Sequence, residues 1–142
     1  MKGYRYYESD LDPGYVDRPK SDHLPELSPD KQKAEIAIRQ GDKRGPLRAH
    51  AIFVFEKLEV AKGLLGKTTG KHLYEMEIDA DDILHRADLR IYDGIVEALK
   101  QNKNAHQLVK EFWQGIERPF PRMELTLRKA TAIEKLVDDH DK

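Results

Sequence analysis

Glu124 stands in the run MELTL, 123–127, directly after a turn bracketed by Pro119 and Pro121. Read by pattern, such a carboxylate is either the solvent face of its strand or a functional group. Arg5 in GYRYY and Arg48 at the entrance to AHAIFVF read by pattern as surface charges. His50 lies inside that apolar run and reads as a structural histidine with its ring nitrogens satisfied. The other histidines, His23, His72, His85, His106 and His140, give no pair at the i, i+4 spacing that brings two imidazoles together on a helix. Cysteine is absent, so disulfides, thiolate nucleophiles and cysteine-held zinc are excluded. GKTTGK, 66–71, lacks the G-x-x-x-x-G-K-[ST] spacing and follows a helix instead of a strand, so it is not a phosphate loop.

These residues need a frame. GYRYY, 3–7, has the aromatic bias of an opening strand. Residues 8–29 hold four prolines among many Asp and Ser, which predicts an irregular segment. Ser28-Pro29 opens a helix that ends at Gly41. The run 49–55 is almost continuously apolar, which predicts a central strand covered on both faces. A helix follows from Glu56 to Leu65, with Gly66 as its stop, and KTTGK as a polar turn. HLYEMEI, 72–78, alternates as a half-buried strand. Asp79–Asp82 punctuates the chain. Amphipathic spacing then predicts helices over 88–101 and 105–114, burying Tyr92, Phe112 and Trp113. MELTL alternates as a strand. ATAIEKLV, 130–137, is a last strand or a short helix, and 138–142 is a frayed tail.

A chain of 142 residues suits one domain with its own core. The mean hydropathy of -0.76 and a charged fraction of 36% describe a polar surface. No apolar run approaches the roughly 20 residues of a membrane span. MKGYRYYESD lacks the apolar centre of a secretory signal, so the expectation is a cytoplasmic protein. Charge is segregated: residues 31–72 hold ten Lys/Arg against four Asp/Glu, and 73–98 hold eight Asp/Glu against two Arg. The two halves read as complementary solvated faces; a polyanion or a dinucleotide is the sharper reading of the basic one.

The order and spacing of YRYYE, RAHAIFVFEKLEVAK, LYEMEI, HRADLRIYD and FWQGIERPFPRMEL resemble a small bacterial domain family of unknown function related to ADP-ribosyltransferases. The resemblance spans most of the chain and is weakest over 8–45. It implies an α+β fold with a split, mostly antiparallel sheet and packed helices. It also implies use of NAD as substrate, with ADP-ribose passed to a macromolecular acceptor, protein or nucleic acid. Arg5 takes the place of the first-strand residue that holds NAD. Arg48, His50 and Phe53 match the motif lining the nicotinamide pocket. Glu124 matches the glutamate that contacts the nicotinamide ribose and stabilises an oxocarbenium-like transition state. No metal is required. Family members act as toxins or in conflict with phage or host, which adds an antitoxin to the partners. Two departures stand out. Ala49 and Ala51 occupy a region where a small hydroxyl residue is common, and Arg122 replaces a glutamate two residues before the catalytic one.

Two further readings come from other classes. One is a non-catalytic binding or adaptor module that uses its segregated basic and acidic faces. The other is a nucleic-acid binder that uses the basic half. Whether Arg5, Arg48 and Glu124 converge on one cleft separates the enzyme reading from the adaptor, and the enzyme reading fails if Glu124 points away from any pocket; a steep salt dependence of binding marks the nucleic-acid binder.

Overall fold

The computed structural model describes residues 1–63 and 71–136. The sheet comprises β1 (Lys2–Tyr7), β2 (Val16–Asp17), β3 (Ile52–Phe55), β4 (His72–Glu77), β5 (Ile83–Asp88), β6 (Met123–Leu127) and β7 (Ala130–Lys135). The strand order is β2-β7-β4-β1-β3-β6-β5, and the pairings among the described residues are antiparallel. The helices are α1 (Pro29–Gln40), α2 (Leu58–Lys62), α3 (Leu89–Lys100) and α4 (His106–Gln114). This is the expected α+β architecture with packed helices.

The sheet is split near its middle. β1 and β4 pair over six positions, but β1 meets β3 in register only where Tyr4 lies opposite Phe55. Where these strands part, Arg5 Nη1 donates to the Phe53 carbonyl at 2.7 Å. A side chain there supplies the hydrogen bond that a continued ladder would have made.

Two cores hold the layers together. On one sheet face Ile52, Val54, Tyr74, Met76, Ile78, Leu125 and Leu127 pack with Ala130 and Ala132. The helices make the other core. Ala34 and Ile38 of α1 meet Ile91 and Ile95 of α3 and Val109, Phe112 and Trp113 of α4, with Ala87 of β5 beneath. The three-and-four spacing of α3 and α4 is therefore the signature of this second core.

Several expectations change. The apolar run does not form one strand: Gly45–His50 is a 3-10 helix, and β3 begins only at Ile52. Nor is β3 covered on both faces. Ile52 and Val54 are buried, whereas Phe53 and Phe55 are half-exposed because their side floors a cleft. His50 is accordingly not a strand residue; it ends the 3-10 helix and is exposed. β5 went unread because its buried positions include His85 and Asp88, so it lacks apolar alternation. Polar partners stabilise it: His85 Nε2 donates to the Phe112 carbonyl at 2.9 Å. Residues 130–135 resolve as a strand. Ser28 precedes α1 as expected, yet its side chain makes no capping bond; Pro29 carries that signal alone. The expected end of the second helix at 64–65, the Gly66 stop, most of the KTTGK turn and the 138–142 tail lie outside the described residues.

Gly45 allows the 3-10 helix to fold back on the end of α1. A Cβ there would overlap the Arg39 carbonyl. Gly45→Ala must shift backbone, not a flexible side chain, and is expected to cost about 3 kcal/mol, read as a lower urea midpoint at unchanged slope.

Candidate functional site

α1 and the 3-10 helix together place one buried ion pair. Glu35, fully buried on α1, accepts from Arg48 Nε at 2.7 Å and Arg48 Nη2 at 2.8 Å. Arg39, one turn along α1, donates from Nε to the same carboxylate at 2.9 Å and grips Asp22 with both terminal nitrogens at 2.8 Å. The irregular segment before α1 is thus tied to the helix, and His23 is brought within 3.6 Å of Glu35.

Arg48 is only 3% exposed. Its guanidinium lies 4.8 Å from the Phe53 ring centre and 5.3 Å from that of Phe112, a placement in which ring faces favour the cation. Two of its nitrogens are engaged by Glu35. The third, Nη1, is buried with no partner among the described residues. A donor left in this state is costly unless a ligand or water completes it.

Arg48 lines a cleft of about 1000 Å³ between α1, α2, α3 and strands β3 and β6. Phe53 and Phe55 form its floor, Tyr92 and Leu89 one wall, and Phe120, Pro121 and Arg122 part of the rim. Glu124 enters from β6. It pairs in register with Phe55 on one side and Ala87 on the other, while Leu125 beside it turns into the core. The pleat therefore sends Glu124 to the cleft face. It makes no hydrogen bond or ion pair among the described residues.

Two carboxylates in this small region are driven in opposite directions. Burial alone would raise Glu35, but the hydrogen bonds from Arg48, the nearby His23 ring and the charge of Arg48 outweigh it and hold Glu35 well below the usual range. For Glu124 burial wins and pushes it up to about 7; Arg48 pulls against this while Glu35 adds to it. Arg48 bonds Glu35 through Nε and Nη2 and makes no hydrogen bond to Glu124, which feels only its charge.

The predicted residues divide. Arg48, Phe53 and Glu124 share the cleft. Arg5 does not. Register places Tyr4 level with Phe55 and Glu124, so Arg5, the next residue, belongs to the other side of the pleat. It lines an adjoining cavity of about 530 Å³ with Tyr7, Tyr15 and Asp17. Besides its bond to the Phe53 carbonyl, its Nε is buried without a hydrogen-bond partner and lies 3.6 Å from Asp17. His50 lines neither cavity. The two cavities share His23 and Phe53, whose rings meet edge-on at 4.7 Å. His23, Glu35 and Phe120 were not singled out from sequence. The pair Glu35–Arg39 at i, i+4 was the visible sign that a charged side of α1 faces inward.

No family model matches the chain, and no curated protein is found to be similar to it.

Two stability measurements test this electrostatic arrangement. Glu35→Gln leaves Arg48 buried without its counter-charge and is expected to cost about 3–5 kcal/mol in chemical denaturation at neutral pH. Glu124 behaves oppositely. Its folded pKa lies above the ordinary 4.5, so the folded state holds the proton more tightly. Its destabilising contribution is absent below about 4.5, grows as pH rises, and is complete above about 7. Glu124→Gln should therefore match the parent protein near pH 4.5 and exceed it by about 2 kcal/mol at pH 8, a figure reduced for the carboxylate's partial exposure.

Proposed function

We propose that the cleft binds NAD and that the chain is an ADP-ribosyltransferase-like enzyme. The observation that carries this reading is the meeting of Glu124, unpaired, with the spare Nη1 of Arg48 on a cleft floored by Phe53 and Phe55. The site offers one carboxylate, one unspent guanidinium donor and aromatic surface. Those are the groups that dissociative chemistry at a ribose centre calls for.

In the reaction, the bond between ribose C1′ and the nicotinamide nitrogen breaks. Nicotinamide leaves with the bonding pair, which neutralises its ring cation. Positive charge gathers on the ribose, and an ionised Glu124 beside it lowers the barrier by charge stabilisation. The acceptor's nucleophilic atom then bonds to C1′, and its proton passes to water or to Glu124. The spare donor of Arg48 suits a carbonyl or phosphate oxygen of the substrate. A cleft of about 1000 Å³ with an adjoining cavity of about 530 Å³ across the His23–Phe53 pair suits a ligand of two linked nucleosides. In this reading Arg5 supports the floor through Phe53, and His50 takes no part.

The adaptor reading draws less support. Arg39, Arg44 and Arg48 of the basic half are engaged by Glu35, Asp22 and Asp42. The excess positive charge read from that half is thus partly consumed inside the fold.

Incubation with NAD labelled on the adenylate, with separate detection of free nicotinamide, tests the proposal. The full chain should release nicotinamide, and Glu124→Gln should lose about 100-fold or more in rate. Because the ionised carboxylate is the active form, the rate should rise with pH and level off above about 7. Failure of the parent protein to bind or cleave NAD across that range would overturn the reading.

A further inference from the structure

We propose that the rim of this cleft binds single-stranded nucleic acid, with a base stacked on Phe120 and the backbone held by Arg122, Lys57 and Lys31. The proposal rests on the transfer reading of the Glu124 cleft only in assigning that strand as the acceptor.

Phe120 is 87% exposed and sits at a φ of 54°. A bulky side chain at positive φ is strained, and an aromatic ring left in water gains nothing from folding. The surrounding loop enforces this arrangement. Asp88, fully buried, accepts the backbone amides of Arg118 at 2.8 Å and Arg122 at 3.0 Å, while also capping α3 through Arg90 at 2.9 Å. The Leu89 amide donates to the Arg122 carbonyl at 2.9 Å, and Arg90 Nε donates to the Phe120 carbonyl at 2.7 Å. Both sides of Phe120 are fixed, so its ring is presented at the cleft and not tucked away.

The charges around it choose the partner. Arg122, Lys31 and Lys57 line the cleft and are exposed, and their side chains make no hydrogen bond or ion pair among the described residues. They outnumber the exposed carboxylates of the same rim, Glu59 and Asp93. An open aromatic face beside unspent cations matches a stacked base with phosphates on either side. A cationic side chain of a protein acceptor would instead pass these like charges. Glu124 follows Phe120 by four positions, so their Cα atoms lie within roughly 14 Å of each other, which keeps the stacked base near the mouth of the cleft that holds the carboxylate. Transfer then joins ribose C1′ to a base nitrogen or a terminal phosphate oxygen as nicotinamide departs, and any acceptor proton goes to water or Glu124.

Fluorescence anisotropy with labelled RNA and DNA strands of about 12 nucleotides, without NAD, tests the proposal on the full chain. Single strands should bind, their duplexes at least about tenfold more weakly, and affinity should fall from about 50 to about 200 mM salt. Phe120→Ala should weaken binding by about tenfold or more, and Phe120→Trp should retain it. Arg122→Glu should weaken binding and flatten the salt dependence. Thermal melts verify that each variant is folded. Absence of binding at low salt, binding indifferent to Phe120→Ala, or transferred label found only on protein and resistant to nuclease would overturn it. Nicotinamide release without strand binding defeats this proposal alone; strand binding without nicotinamide release defeats only the transfer reading.

Discussion

The ion pair between Glu35 and Arg48 is the constraint on which the remaining structure depends. It joins α1 to the 3-10 helix at a point where neither charge reaches water. An isolated charge in that position would be expelled or neutralised, so the two elements must dock together or not at all. Their docking sets Arg48 against Phe53 of the sheet and Phe112 of the helical core. One guanidinium therefore touches both the helical core and the floor of the cleft. Arg39 extends the same charge network to Asp22, which brings the proline-rich segment and His23 to the cleft.

This sharing also sets the state of Glu124. A guanidinium free to make hydrogen bonds to Glu124 would hold it ionised, as it holds Glu35. Arg48 directs two of its nitrogens to Glu35 and none to Glu124, and the negative charge of Glu35 works against a second one nearby. The outcome is a pair of neighbouring carboxylates with separated roles: one permanently ionised and structural, the other poised near neutrality at a cleft. Separation of that kind is a frequent feature of sites that handle charge in a reaction.

Periodicity made much of this frame legible. The spacing of Leu89, Tyr92, Ile95, Val96 and Leu99 gave α3, and alternation in HLYEMEI and MELTL gave β4 and β6 with Glu124 facing away from the core. What stayed hidden depends on contacts between distant segments. Arg5 lies on a well-marked strand, but its face follows from a register with β3 and β4 that no local pattern encodes. Phe53 and Phe55 looked like core because apolar character does not distinguish a covered face from a cleft floor. β5 escaped because His85 and Asp88 replace apolar residues at buried positions and are satisfied by groups from α4 and the loop after it. Arg48 read as a surface charge for the same reason: Glu35, its partner, is thirteen positions away on another element.

Asp88 has a consequence for how this site can change over time. Its carboxylate holds the rim loop entirely through backbone amides, those of Arg118 and Arg122, together with Arg90 at the start of α3. None of those bonds reads the identity of a side chain. The loop's path is thereby partly uncoupled from its chemistry: Glu117 and Arg118 are paired with Arg86 and Glu111, but the side chains of Phe120 and Arg122 can be exchanged with little effect on the scaffold, and each exchange presents a different surface a few residues from an unaltered Glu124. A fold arranged in this way can acquire new partners by point substitution at the rim while the charge network beneath it stays fixed.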